Sequence, residues 1–316
     1  MVDVTVIIPV FNRCRTVLDA LDGVAAQTML PASVIVVDDG STDHSADAVQ
    51  AWANEHAGVL RCVIQRRAKS TAALARQAAF ESVPMTSLVA FLDSDDYWPN
   101  DFLQRASHAL SADDSLVAAS ADRRFVSEDG EQFSYDNCRS LANDPIPWIF
   151  RHGGGIASCT VLRSHAVQAV GGWNARCDDA EDSSLFTDIA TQGNWCHLPG
   201  KPVTFRWGLA ASRGEADNLS QIYPDRFQRW AISHATIYHS LKDRYPERRR
   251  RRLRRHIASF WFRAGQQCEA ARQFEDAIRC YDNTLTWNPS DWRAKWRRRK
   301  QLSVVGRLRK PSTKEK

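Results

Sequence analysis

Several signals that settle a function quickly are missing from this sequence. No run reaches the roughly 18 apolar residues of a membrane-crossing helix. Met1-Val2-Asp3-Val4 has no basic stretch leading into an apolar one, so no secretory signal is expected. The eight cysteines are scattered without a Cys-x-x-Cys pair, which argues against a zinc site and a disulfide framework and fits free thiols in a reducing cytoplasm. Gly-x-Gly-x-x-Gly and Gly-x-x-x-x-Gly-Lys-Ser/Thr are both absent, which argues against a dinucleotide oxidoreductase and a P-loop NTPase. A phosphate-bearing ligand without a glycine cradle must have its charge met in another way. A metal held by carboxylates is one such way.

What is present divides in two. At 316 residues the chain exceeds the length at which one core usually stops growing. Hydrophobic content of 43% and charged content of 25% are ordinary for a globular protein. The net charge of +5 conceals a balance of −12 over residues 1–225 and +17 over residues 226–316. Two modules with different partners are expected, 1–225 and 226–316.

The first module opens with Val4–Val10, apolar on both faces and therefore a buried strand. Pro9 cannot donate to a ladder, so pairing is expected to fail there. Phe11-Asn12 follow. A helical stripe spans 14–27, and Val34–Val37 is a second buried strand ending on Asp38-Asp39-Gly40-Ser41. Thr42 or Asp43 can cap the next helix. Leu60–Ile64, a helix over 71–83, and Leu88–Leu92 complete four strand–helix units. That succession predicts a parallel sheet covered by helices, with ligands outside the carboxyl ends of its strands. Leu88–Leu92 runs directly into Asp93-Ser94-Asp95-Asp96. Three carboxylates so close repel one another, and a divalent cation with oxygen preference is the economical way to hold them.

Val6-Ile7-Ile8-Pro9-Val10-Phe11-Asn12, Val36-Val37-Asp38-Asp39-Gly40-Ser41-Thr42-Asp43 and Phe91-Leu92-Asp93-Ser94-Asp95-Asp96-Tyr97-Trp98-Pro99 together resemble family 2 glycosyltransferases of the GT-A fold, over roughly residues 3–210. The resemblance implies an α/β fold with a mixed sheet flanked by helices, a nucleotide-sugar donor, a divalent metal (Mn2+ or Mg2+) and inversion at the anomeric carbon. It implies that Asp39, with Asp38 beside it, meets the base or ribose, that Pro9, Phe11 and Asn12 line the nucleotide pocket, and that Asp93 and Ser94 face the ribose or sugar. Asp95 and Asp96 would hold the metal. The family's Ala-Arg-Asn segment is here Ala75-Arg76-Gln77 without its glycines. Arg76 supports the donor site if the match holds, and is an exposed helix arginine on residue reading alone.

Beyond the acidic strand, Leu116–Ala119 reads as a strand and Glu128–Glu131 as a hairpin turn. Gly153-Gly154-Gly155 reads as a loop before a strand at 156–162. Gly171-Gly172-Trp173-Asn174 precede Asp178–Phe186. Acidic residues at a helix start are favoured by the helix dipole, so capping explains Glu181-Asp182 on residue reading alone. The resemblance assigns Asp182 as general base, with Glu181 positioning the acceptor or the base. Arg206, Trp207 and Arg213 are candidates for the diphosphate.

The second module holds Arg248–Arg252, Arg254 and Arg255, then a tetratricopeptide-like hairpin over Ile257–Asn288 closed by Pro289. One repeat cannot bury its face alone, so a protein partner, self-association or packing on the first module is expected. The basic stretch 248–255 reads as a solvated helix face, as a contact for an anionic membrane surface on the inner face of the plasma membrane, or as a nucleic-acid patch; the second is favoured and the third is weakest, since no recognition module accompanies the charge. Two readings of the whole remain. One is an active transferase using a UDP-sugar (dTDP and GDP remaining open) to build a glycan or lipid-linked product of cell-surface polysaccharide synthesis. The other is a lapsed GT-A domain acting as a scaffold.

Overall fold

In the computed structural model, residues 3–82, 86–127, 129–173, 177, 179–207 and 223–308 are described. The chain forms two compact units, Met1–Leu219 and Ser220–Lys316. Asn174, Asp178, Arg213 and Glu128, singled out above, lie outside the described residues.

The first unit begins with β1 (Val4–Val10), α1 (Thr16–Ala25), β2 (Ser33–Asp38), α2 (Ser45–Glu55), β3 (Cys62–Arg66), α3 (Ala72–Ser82) and β4 (Leu88–Phe91). These strands are parallel in the order β3-β2-β1-β4, as the apolar runs predict. The side chains of β1, β2 and β4 are buried on both faces, from Ile7 and Val36 to Phe91, which is why they read as unbroken apolar runs rather than as alternation, while β3 at the end of the order is half-buried. Neither candidate cap occupies the N-cap of α2, which is His44 without a side-chain cap bond; Asp43 Oδ1 accepts the Ser45 backbone N–H at 2.9 Å just before it.

Next come β5 (Asp96–Tyr97), α4 (Phe102–Ala112), β6 (Leu116–Val126), β7 (Gln132–Asp136), α5 (Pro145–His152), β8 (Thr160–Arg163), α6 (Ser164–Ala169), α7 (Glu181–Ile189) and β9 (Asn194–Arg206). β8 pairs antiparallel with β4 and with β6, β9 runs parallel to β6, and β5 and β7 pair antiparallel with β9 and β6. The sheet is therefore mixed, as the GT-A resemblance implies.

Two local expectations are corrected. β1 continues through Pro9, which pairs in register with Val37. Ile7 O accepts from Leu92 N and Val10 O accepts from Asp39 N, so odd-numbered residues of β1 face β4. β4 ends at Phe91, opposite Ile7, so the absent Pro9 N–H points where no ladder remains to be broken. Ile156–Cys159 is a 3-10 turn and not the start of a strand, and β8 begins only at Thr160.

The second unit is all helical: α8 (Arg226–Ser240), α9 (Glu247–Ala270), α10 (Phe274–Trp287) and α11 (Trp292–Leu308). α9 and α10 form an antiparallel hairpin, with Arg254 Nη2 donating to Thr286 O at 2.9 Å near one end and Gly265 against the Tyr281 ring nearer the other. A Cβ at Gly265 would fall 2.5 Å from that ring, so glycine sets how closely the helices approach. The basic stretch opens α9, where Glu247 already pairs with Arg250 and Arg251. Among the described residues no helix is long and apolar enough to cross a membrane.

Candidate active site

Three strand ends meet at one rim. At the end of β1, Asn12 adopts a left-handed conformation with φ 51°. Its N–H donates to Ser41 Oγ at 3.0 Å and its Oδ1 accepts from Thr42 N at 2.8 Å. Asp38 Oδ1 accepts from Ser41 N at 3.1 Å. Asn12 ties the loops after β1 and β2 together, and Asp38 holds the turn that follows its own strand. Asp39 is 3% exposed: its Oδ1 accepts from Ser70 N at 2.9 Å and from Ser70 Oγ at 2.6 Å, and its Oδ2 meets Lys69 Nζ at 3.0 Å. The Lys69 ammonium lies 3.5 Å from the centroid of the half-buried Phe11 ring. Phe11, Lys69 and Asp39 thus form one corner, and Pro9 lies in β1 two residues before Phe11, paired with Val37.

The acidic loop after β4 is held from several directions. Arg13 Nη1 donates to Asp95 Oδ2 at 2.6 Å, Arg206 Nε donates to Asp95 O at 2.6 Å, and Arg76 Nη2 donates to Asp93 Oδ1. Ser158 Oγ accepts from Asp93 N at 3.0 Å, and Ser158 O accepts from Trp98 Nε1 at 2.6 Å. Asp93 and Asp95 are half-buried, whereas Ser94 and Asp96 are buried and Asp96 hydrogen-bonds Ser158. Burial raises the pKa of Asp95, against the pull of Arg13, and raises that of Asp96 strongly, with Asp95 and Asp93 adding to the shift. Arg206 is also bound to Asp19 Oδ2 at 2.6 Å, so its guanidinium braces this loop.

The second acidic pair begins α7. Glu181 and Asp182 occupy its first turn, where the helix dipole favours negative charge. Asp182 is 7% exposed. Its Oδ2 accepts from Gly155 N at 2.6 Å, while its Oδ1 is buried with no hydrogen-bond partner among the described residues. Burial pushes Asp182 up to about 6, opposed by Arg76, and pushes Glu181 up to about 8 with the Asp182 charge adding to the shift. Arg76 is not an exposed helix arginine. It is 4% exposed, stacks 4.7 Å from the Trp173 ring and reaches Glu181 Oε1 at 3.9 Å, which joins the acidic loop to the acidic pair. Gln77 on the same helix accepts from Trp173 N at 2.7 Å and so fixes the Gly-Gly-Trp turn.

The Gly155 N–H is placed by a side chain the sequence does not advertise. Arg123 is 2% exposed, stacks on Trp148, pairs with Asp136, and donates to Gly154 O at 2.7 Å and His152 O at 2.8 Å. Gly155 itself has φ 73°, and a Cβ there would fall 2.7 Å from the Phe205 ring. Gly155→Ala is therefore expected to cost about 1–3 kcal/mol of stability, read by chemical denaturation. It should also lower turnover about tenfold, because the donor to Asp182 is displaced. Unchanged turnover would disconnect this loop from the acidic pair.

The arrangement offers a corner of ring, ammonium and carboxylate, an oxygen-rich loop and a raised-pKa carboxylate, the last two bridged by one buried guanidinium. Residues 5–166 match the model of glycosyl transferase family 2, more than half the chain. The chain belongs to glycosyl transferase family 2. This glycosyltransferase is 29% identical over 245 residues to the succinoglycan biosynthesis protein ExoW of Rhizobium meliloti (strain 1021), covering 69% of this chain and 71% of that protein. It is 30% identical over 122 residues to the amylovoran biosynthesis glycosyltransferase AmsB of Erwinia amylovora, covering 39% of each. Among solved structures, Staphylococcus aureus TarS 1–349 in complex with UDP-GlcNAc has a TM-score of 0.69 at 16% identity, over 96% of this chain and 90% of that one. The mannosyltransferase PcManGT of Pyrobaculum calidifontis, with GDP-Man and Mn2+, has a TM-score of 0.60 at 19% identity, over 98% and 82%. At such identities the structural likeness concerns the fold, and it is the GT-A fold.

A divalent metal can be tested against the residues present. Asp95, half-buried, and Asp96, buried against Ser158, are hard oxygen donors of the kind Mn2+ and Mg2+ prefer. Among the described residues no group of three or more His, Cys, Asp or Glu could hold an ion without help. Two carboxylates plus substrate phosphate oxygens is a common arrangement for Mg2+, so the donor set fits an ion that arrives with a diphosphate.

Proposed function

We propose that this transferase moves a sugar, with inversion, from a nucleotide-diphospho-sugar, a UDP-sugar first among the candidates, to a hydroxyl of a glycan or lipid-linked acceptor. The observation that carries the reading is Asp182: one oxygen is fixed by Gly155 N–H, the other has no partner among the described residues, and burial raises its pKa to about 6. A base poised near neutrality with a free lone pair can take the acceptor's proton as the oxygen attacks. Glu181 adjoins it and positions the acceptor or the base. The donor's base and ribose meet Pro9, Phe11, Asn12, Asp38 and Asp39, with Lys69 between ring and carboxylate. Asp93 and Ser94 face the ribose or sugar, and Arg76 carries charge between Asp93 and the base.

Asp95 would hold a divalent ion, with Asp96 behind it. When bound, that ion supplies Lewis-acid neutralisation of the diphosphate leaving group. Arg13 now neutralises Asp95 and would share it with the ion. The UDP-GlcNAc complex of TarS and the GDP-Man and Mn2+ complex of PcManGT support a nucleotide-sugar donor and a metal. The succinoglycan and amylovoran relatives support a polysaccharide product. The transferase would work in the cytoplasm, with the second unit carrying it to the inner face of the plasma membrane through residues 248–255, or to a protein partner through the helical hairpin.

The test is a thermal-shift screen of UDP-, dTDP- and GDP-sugars with and without manganese, followed by donor hydrolysis and transfer. A donor at a hundredfold excess over its Kd should add about 2.7 kcal/mol of stability. Binding of a donor without hydrolysis or transfer to any acceptor tried would favour the scaffold reading.

A further inference from the structure

The last helix of the second unit carries an unusual face. α11 turns Ala294 and Gln301 inward, with Arg297, Arg298, Val304 and Val305 half-buried beside them. These positions recur at helical spacing and define the packed side. On the opposite side the same spacing places Trp292, Trp296, Arg299 and Ser303 in one column, flanked by Lys295 and Lys300. Trp292 is 72% exposed and Trp296 57% exposed. Two indoles left in water four residues apart call for a partner, since Trp is a costly side chain to solvate.

The charges say which partner. α11 contains no Asp or Glu. Arg293, Arg297 and Arg298 are paired with Asp291, Glu269 and Asp282, all of which lie off this helix. Lys295, Arg299 and Lys300, the cations on the outer face, have no ion pair among the described residues, and Lys300 Nζ sits 5.6 Å from the Trp296 ring. Exposed indoles interleaved with unpaired cations match the headgroup level of an anionic bilayer, where an amphipathic ring sits at the boundary and Lys or Arg meets phosphate. A second copy of the chain docking through this face by a two-fold axis would oppose like charges. A single nucleic-acid strand needs a groove that tracks its backbone, and this is one face of one helix.

We propose that the Trp292–Trp296 face of α11 is a docking surface for an anionic lipid bilayer. It deepens the membrane part of the functional reading by moving the contact from the arginines of α9 to α11, and it rests on no part of the catalytic reading. The test uses the full chain and vesicle flotation, comparing phosphatidylcholine alone with phosphatidylcholine containing about one third phosphatidylglycerol. Binding is expected only to the anionic vesicles, weakening as salt rises. A Trp292→Ser/Trp296→Ser variant should lose at least about tenfold in partitioning with an unchanged circular dichroism spectrum, because both rings lie outside the core. Arg248→Ser/Arg252→Ser/Arg255→Ser should retain the tryptophan dependence. The proposal is overturned if the tryptophan variant floats like the wild type, if neutral vesicles bind equally, or if only the arginine variant loses binding. It also falls if the tryptophans prove to be needed for dimerisation, or for binding a single-stranded oligonucleotide, while vesicles are ignored.

Discussion

Asp182→Asn is expected to abolish transfer, by about a thousandfold or more in turnover, while leaving donor affinity near that of the wild type. The amide keeps the size of the side chain and can keep the contact to Gly155 N–H through its oxygen, but it has no basic lone pair for the acceptor proton. The proposed donor contacts are Asp39, Asp93 and the acidic loop, so a thermal shift with the donor should survive. The pH profile gives a second readout. Because Asp182 must be ionised to act and burial raises its pKa to about 6, wild-type kcat/KM should fall as pH drops below that value and level off above it. In the variant that limb should vanish from any residual rate. Stability should move the opposite way. A carboxyl whose folded pKa lies above its ordinary 3.8 binds protons more tightly when folded, so the wild type loses stability between pH 3.8 and about 6 and stays less stable above. The neutral asparagine escapes that loss, and the variant should unfold at a higher denaturant concentration at pH 8 than the wild type. Turnover within tenfold of wild type would remove Asp182 from the base role.

The sequence made the rim of this site legible but not what holds it. Apolar runs that stop abruptly on Asn12, Asp39 and Asp93 announce strand ends, because a buried parallel strand has no other way to meet water. The braces are a different matter. Arg13 reaches Asp95 across 82 residues and Ser158 reaches Asp93 across 65, and nothing in the local pattern of either marks a partner so distant. Arg123 lies beyond the Leu116–Ala119 run that reads as a strand and belongs to no motif, yet it organises the loop that binds Asp182. Gly155 was visible only as part of a glycine triplet, since left-handed backbone and a neighbouring Phe205 ring are facts of the fold. Pro9 misleads for a related reason. Its missing donor matters only if a neighbouring strand is present on that side, and β4 ends just before it. The charge split was legible, but part of the α9 arginine stretch is consumed by Glu247, and the indole face of α11 appears only when burial sorts one side of the helix from the other.

Replacing Arg76 should be the most damaging single change to the stability of the first unit. Its guanidinium is 4% exposed and faces Asp93, Glu181 and Asp182, and Nε and Nη1 lack hydrogen-bond partners among the described residues. Taking a charge out of water is costly and is tolerated here because three carboxylates share it. Arg76→Met keeps much of the volume and a soft contact for the Trp173 ring, so what it removes is mainly charge. Asp182 would then be buried, and Asp93 and Glu181 half-buried beside it, without the cation that bridges them, and a loss of about 3–5 kcal/mol is expected at pH 8. The loss should shrink as pH falls. Glu181 and Asp182 already sit at about 8 and about 6 with Arg76 present, and without it both move higher, so acid neutralises the repulsion that the substitution exposes. Denaturant unfolding of wild type and variant at pH 8 and pH 5 reads the difference directly. Arg76→Lys, which keeps the charge but not the planar fork, should recover part of the loss at pH 8 and little of the turnover. An equal loss for Arg76→Met at both pH values would mean that Arg76 acts by packing on Trp173 rather than by bridging the two acidic stations.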